Sequence, residues 1–302
     1  MNILVCIKQI LAPESGWESP ADPGGSFGKN EITAVKGGPQ TFTEPSFADD
    51  CYRMNPYDEN ALEEALRIRE QFPEVKIDAL SVGPDRCRRV LRRALEMGAD
   101  RAVQLQVAPP PSEAPEPPHS REGSKPAHPT ESIPDPALTP FETAAVIASY
   151  LRGKSYDLIL TGVMAEDGMA GQTGQLLAAL LGIPCATAVI TERLLSSHGP
   201  VYVEREEDGG ERSAYEITLP ALLTIQSGIN RPRYPALSHV LRARTQEITK
   251  VAAAELLPPP RERVVGSRRR ESSTQCAFLT GPLPEQARQF LDFCRQRGFL
   301  NT

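Results

Sequence analysis

The sequence predicts an α/β fold: a mostly parallel sheet with helices on both faces, then a β-rich C-terminal extension and a terminal helix. Three observations carry this. Short apolar runs alternate with segments whose apolar residues recur every three or four positions, the β-α-β-α order of a parallel sheet. A Gly-rich run, Gly162-Val163-Met164-Ala165-Glu166-Asp167-Gly168-Met169-Ala170-Gly171-Gln172-Thr173-Gly174-Gln175, joins one such strand to one such helix. The strand ends Ile7-Lys8, Ser81-Val82-Gly83 and Thr161-Gly162 all run into loop-like or Gly-rich sequence, as they do where a ligand sits at the carboxyl ends of a parallel sheet.

The elements follow in order. Residues 2–8 read as a buried strand. Residues 58–72 read as a helix, with Ala61, Leu62, Ala65, Leu66, Ile68 and Phe72 as its apolar stripe and Asn55-Pro56-Tyr57-Asp58 as its start. Residues 76–82 form a second strand, stopped by Gly83-Pro84. A helix over 85–98 follows from the spacing of Cys87, Val90, Leu91, Ala94, Leu95 and Gly98. Residues 102–107 make a third strand, then come a helix over 141–152, a strand over 156–161 and a helix over 173–181 carrying Leu176, Leu177, Leu180 and Leu181. Beyond 185 the pattern turns β-rich. Val201–Arg205, the turn Asp208-Gly209-Gly210 and Tyr215–Leu219 read as a hairpin, followed by a strand over 221–225. A last amphipathic helix over 283–297 carries Ala287, Phe290, Leu291 and Cys294 on one side, and is expected to dock on the body or on a partner.

Two stretches interrupt the pattern. Residues 12–50 are rich in Gly, Pro and polar residues, and residues 109–140 are dense in Pro with the composition of a disordered insert. The expected division is an α/β domain over 1–257 holding both inserts, then a linker and docking helix over 258–302.

Charge excludes some functions. A net charge of −6 over 302 residues argues against a nucleic-acid surface. The basic run Arg268-Arg269-Arg270 reads as part of a solvated linker. No stretch approaches the ~20 apolar residues of a membrane span, and the start Ile3–Ile7 is too short for a signal sequence. The cysteines Cys6, Cys51, Cys87, Cys185, Cys276 and Cys294 are scattered, with no CxxC pair, and read as small hydrophobes in a reducing cytoplasm. His119, His128, His198 and His239 form neither a catalytic triad nor a metal set.

The Gly-rich run is the candidate site. A strand-to-helix turn of this kind exposes backbone N–H groups beside a helix N-terminus, which favours an anionic phosphate. It matches neither GxGxxG nor GxxxxGK[ST], so an ordinary tight turn remains the alternative.

The ordered set of segments resembles the β-subunit of electron-transfer flavoproteins, including their electron-bifurcating relatives. The similar segments are Val5–Gln9, Met54–Ala65, Ser81–Pro84, Arg93–Arg101, the 162–175 loop, Leu219–Thr224, Asn230–Pro235 and Pro258–Arg261 before the final helix. Outside the two inserts they cover nearly the whole chain. The resemblance implies a Rossmann-like sheet burying an adenine nucleotide, AMP in ordinary members or a second FAD in bifurcating ones. It also implies a heterodimer with an α-subunit that holds most of the redox FAD, and electrons arriving from an acyl-CoA dehydrogenase or another flavin dehydrogenase.

Carried onto matching positions, the nucleotide contacts are Cys6, Asn55, Pro56, Tyr57, Asp58, Val82, Gly162, Val163, Met164, Ala165, Glu166, Asp167, Gly168, Met169, Ala170, Gly171, Gln172 and Thr173. Gly162, Gly168 and Gly171 would let backbone approach phosphate, Gln172 and Thr173 would present donors at the helix start, and small Cys6 would admit the adenine ring. Asp167 reads as a ribose or backbone anchor, or as a turn-capping residue. Segment 228–243 corresponds to the partner-recognition loop, with Tyr234, Leu237 and Leu241 at the surface and Leu237 as anchor. Without the resemblance, Leu237 and Leu241 read as a core-facing helical pair. The loop departs from the family at Val163-Met164 and Met169, which leaves the details of the nucleotide contacts open. Gln172–Gln175 resemble AMP-binding members, whereas Asp167-Gly168, Cys6–Gln9 and Ile229-Asn230 with Tyr234-Pro235 resemble the bifurcating branch, so AMP against FAD stays open. The alternative function is a non-redox adenine-nucleotide-binding regulatory module.

Overall fold

The computed structural model describes residues 1–11, 52–107, 138–196, 199–259 and 279–299. The inserts at 12–50 and, for nearly all its length, 109–140 lie outside them, as do His119, His128, His198, Cys51, Cys276 and Arg268–Arg270. The chain forms two compact units, Met1–Arg263 and Val264–Thr302.

In the first unit, β1 (Asn2–Cys6), β4 (Lys76–Val82), β5 (Arg101–Gln106), β6 (Leu158–Gly162), β7 (Cys185–Leu194), β8 (Val201–Glu206), β9 (Arg212–Ile217), β10 (Ala221–Ile225) and β11 (Ile248–Ala252) build one sheet in the order β11-β5-β4-β1-β6-β10-β7-β8-β9. From β11 to β7 every pairing is parallel, and β7-β8-β9 continue antiparallel. The expected hairpin is β8-β9. The β-rich region thus prolongs the same sheet, and β10 returns to lie between β6 and β7. A separate antiparallel pair joins β2 (Gln9–Leu11) to β3 (Tyr52–Met54).

Both faces are covered, as a parallel sheet requires. Ile3 and Val5 point into one core with Leu158 and Leu160, under α1 (Pro56–Gln71), α2 (Arg88–Met97) and α5 (Leu237–Thr245), whose Ala243 is buried there. Leu4, Ile159 and Leu222 point the other way, into a core closed by α3 (Pro140–Leu151) and α4 (Thr173–Leu181). This two-residue alternation, apolar on both sides, is why the central strands read as unbroken hydrophobic runs.

Local chemistry sets the helix ends. Pro56 stands in the first turn of α1, where its missing N–H costs nothing. Thr139 and Glu142 cap α3 reciprocally, and Gly182 ends α4 in the left-handed conformation. The expected helix over 85–98 opens as a 3-10 turn at Asp85–Cys87 before α2 proper. In the second unit, α6 (Leu283–Gln296) leaves Leu283, Phe290, Leu291 and Phe293 exposed. No described helix is long and apolar enough to cross a membrane.

Candidate functional site

Chain direction across the sheet reverses at β1. The path runs β1, β4, β5 to one side, then crosses to β6 and β10 on the other, so the carboxyl ends of β1 and β6 part around a crevice. The segments on its rim are Cys6–Lys8, Asn55–Asp58 and the 162–173 loop, three that the sequence reading brought together. Val82 ends β4 next to β1, half-buried.

Asp58 is the clasp of this crevice. Its Oδ2 accepts from the Lys8 N–H at 2.8 Å and its Oδ1 from the Gly162 N–H at 2.9 Å, so one buried carboxyl ties the ends of β1 and β6 together. Burial pushes Asp58 up to about 7, held back by those two N–H donors. Asn55, also buried, clasps the loop: its Nδ2 donates to the Met164 carbonyl at 2.9 Å and its Oδ1 accepts from the Glu166 N–H at 3.2 Å. The two side chains expected to contact a nucleotide therefore spend their polar atoms on backbone. Cys6, half-buried beside Asp58, has its thiol pushed up to about 12 by burial and then by the Asp58 charge, so it stays protonated.

Two ion pairs hold the loop from outside. Lys8 Nζ meets Asp167 Oδ1 at 2.7 Å, and Arg53 meets Glu166 Oε2 at 2.6 Å. Asp167 is thus matched by a cation, which removes the repulsion that a bare carboxylate would offer to a phosphate. Lys8 and Arg53 were not singled out as site residues from sequence. Lys8 stood at a strand end beside the loop, which was the available signal; Arg53 carried none.

The glycines divide by role. A Cβ on Gly162 would lie 2.5 Å from Asp58 Oδ1 and 2.9 Å from the Tyr57 backbone, so this glycine lets α1 close on β6. Gly171 has φ +60°, a left-handed turn residue. Gly168 meets nothing within 4 Å. Gly174, one residue into α4, would bring a Cβ to 2.6 Å from Thr224 and 2.9 Å from Thr161, so it seats the helix on the sheet. The loop's outer residues, Asp167, Gly168, Met169 and Ala170, are exposed, with Met169 at φ 48°, while Val163, Met164, Ala165 and Glu166 are half-buried.

Gln172 and Thr173 open α4, and no side chain caps it. The first-turn N–H groups of any helix lack intrahelical acceptors, so this end offers donors and positive potential to an anion. Beside Lys8, the Oε1 of Gln9 is shut from solvent without a hydrogen-bond partner among the described residues, while its amide donates to the Arg86 carbonyl at 3.0 Å.

The second predicted surface lies on and just before α5, which packs on α2. Tyr234 is 93% exposed, Leu237 72% and Leu241 53%, so Leu237 and Leu241 are not a core-facing pair although both lie on α5.

Residues 47–116 and 132–256 match the electron transfer flavoprotein domain family. The chain belongs to the electron transfer flavoprotein family. It is 33% identical to electron transfer flavoprotein subunit beta of Mus musculus over 205 residues, 68% of this chain and 70% of that one. The human subunit beta is 32% identical over 205 residues, with the same shares covered. The mitochondrial subunit beta of Arabidopsis thaliana is 34% identical over 203 residues, 67% and 70% of the two chains. The family assignment from sequence therefore holds, and this chain is an electron transfer flavoprotein subunit of the β type.

Proposed function

We propose that this chain is the β-subunit of a heterodimer in which it binds an adenine nucleotide at the β1–β6 crevice and passes electrons from a flavin dehydrogenase through an FAD shared with an α-subunit. The observation that carries the reading is the family match across α1, the 162–173 loop and the 234–241 segment together, coinciding with a crevice at the switch point of the sheet. The N-terminus of α4 would take the phosphates, and Cys6 and Val82, small and uncharged at their strand ends, leave the crevice floor open to a ring. Asn55, Asp58, Lys8 and Arg53 act indirectly, fixing the loop. The FAD, when bound, supplies the one-electron and two-electron redox chemistry. Free thiols at Cys6, Cys87, Cys185 and Cys294 support placement in a reducing compartment such as the cytoplasm.

Co-expression with an α-subunit, followed by denaturation and quantification of released nucleotides, tests this. One FAD and one AMP per heterodimer are expected, or two FAD if the crevice holds the second. This chain alone should carry at most one weakly held flavin. A tightly flavinylated form of this chain without any partner would overturn the reading.

The partner surface gives a separate test. Truncating an exposed anchor at an interface costs about 2 kcal/mol or more of binding, whereas a core leucine costs roughly 2–5 kcal/mol of stability. Leu237→Ala should therefore leave the melting temperature within a degree or two (about 0.5 kcal/mol) and slow electron transfer from an acyl-CoA dehydrogenase at subsaturating concentration. Unaltered transfer would remove Leu237 from the interface.

A further inference from the structure

The segment between β10 and α5 has no regular structure, and among the described residues its backbone from 227 to 235 makes no hydrogen bond to other backbone. Side chains of α1 hold it instead. Asn60 Nδ2 donates to Asn230 Oδ1 at 2.8 Å and to the Asn230 carbonyl at 3.2 Å, and Asn230 Nδ2 donates back to the Asn60 carbonyl at 2.9 Å. Three residues on, Glu63 takes the Arg233 guanidinium as a fork, with Nε donating to Oε2 at 2.8 Å and Nη2 to Oε1 at 2.7 Å. The same Oε2 accepts from the Arg233 backbone N–H at 3.1 Å. Further along the helix, Glu70 accepts from Arg233 Nη1 at 2.6 Å.

These contacts account for polar burial on α1 that core packing does not explain. Ala61, Leu62, Ala65 and Leu66 fill the core, yet Asn60 and Glu63 are buried as well. Burying an amide and a carboxylate is costly unless their polar atoms are bonded, and here the bonds go to residues 170 positions away. The helix is itself held at both ends. Asn55 and Asp58 tie its start to the crevice, and Arg69 Nη1 donates to the Gly98 carbonyl at 2.9 Å near its end. Directly after the anchored Arg233 the chain comes to the surface, with Tyr234 and Leu237 exposed. Pro232 and Pro235 flank Arg233-Tyr234 and restrict φ on either side. A binding segment with a fixed root loses less freedom when its partner docks.

We infer that Glu63 is a positioning residue: with Asn60, it holds the root of segment 230–237 against α1, so that Tyr234 and Leu237 meet the dehydrogenase in a preset conformation. This rests on the reading of Tyr234 and Leu237 as the partner surface. Glu63 acts through Arg233, because it is buried and both its oxygens are taken by that residue.

The test compares the unaltered heterodimer with Glu63→Gln, Arg233→Lys and the double variant. Glutamine cannot accept the fork, since one of its two terminal atoms is a donor. Lysine keeps the charge but loses the fork. In the free heterodimer, amide hydrogen exchange over 230–237 should accelerate about tenfold in Glu63→Gln, by more than any change in β1 and β6. The KM of an acyl-CoA dehydrogenase for this heterodimer should rise severalfold with kcat unchanged. The double variant should match the stronger single one, because Glu63 works only through Arg233. Exchange that ignores Glu63→Gln, or a KM increase that adds in full to that of Arg233→Lys, overturns the proposal. If Glu63→Gln does not fold, Arg233→Lys carries the exchange test, and an unaltered rate over 230–237 overturns the proposal equally. Leu237→Ala separates the underlying reading: it should raise KM without altering exchange at 230–233. If Leu237→Ala raises KM and Glu63→Gln does not, the positioning role fails alone; if neither does, the partner surface fails and the proposal with it.

Discussion

Asp58→Ala is expected to lower stability by about 2–5 kcal/mol, because it orphans the part-buried Lys8 and Gly162 N–H groups at a cost of roughly 1–3 kcal/mol each. Asp58→Asn should be milder, about 1–3 kcal/mol, because the amide keeps one acceptor oxygen and turns its NH2 toward the other N–H. The sign with pH follows. The folded carboxyl keeps a proton that the unfolded chain releases near 3.9, so this group's contribution is complete below about pH 4 and lost as pH rises toward about 7. The unaltered protein should therefore decline relative to Asp58→Asn across that window, and denaturant unfolding at pH 4.5, 6 and 8 measures it. A gap between the two that stays constant with pH would mean that Asp58 is ionised throughout. An Asp58→Ala variant within 1 kcal/mol of the parent would mean that the strand ends do not depend on the clasp.

What the sequence made legible follows from where apolar periodicity is strong. The central strands and the helices over them carried it, and their bounds shift by only a few residues in the structure. The elements left unread have weak or ambiguous patterns. In β7, Cys185–Leu194, the left-handed Ala188 at φ 54° and a register shift next to Val189 break the alternation that would mark a strand. β11 is an edge strand with Thr249 and Lys250 exposed, and β2 and β3 are three residues each and pair across 40 residues that separate Leu11 from Tyr52. The site was legible as a place and not as a set of roles. Strand ends and the Gly-rich loop mark the crevice, but nothing local reveals that Asn55 and Asp58 spend their polar atoms on backbone 50 to 111 positions away. Nor does it reveal that Gly162 serves α1. Such pairings depend on the crossover from β5 to β6, which local periodicity does not encode.

The glycines of the loop provide the sharpest test of how the crevice is built. Gly174→Ala adds a methyl group where no space exists, 2.6 Å from Thr224 and 2.9 Å from Thr161, so α4 must lift from the sheet. Overpacking of this kind costs about 1–3 kcal/mol. Because the lifted end is the one proposed to take the phosphates, nucleotide affinity should fall at least about tenfold, the equivalent of 1.4 kcal/mol. Gly171→Leu combines strain of roughly 1–2 kcal/mol at φ +60° with a bulky side chain on the loop, and should also empty the crevice. Gly168→Ala is the control: its surroundings are open and its φ is ordinary, so stability should hold within about 0.5 kcal/mol. If the loop backbone at Gly168 approaches the phosphates, this variant alone will lose nucleotide without losing stability. The readouts are unfolding in denaturant and chromatography of nucleotide released from the heterodimer. Full occupancy in both Gly174→Ala and Gly171→Leu would place the nucleotide elsewhere, because no anion held by the α4 N-terminus and its loop survives displacement of both.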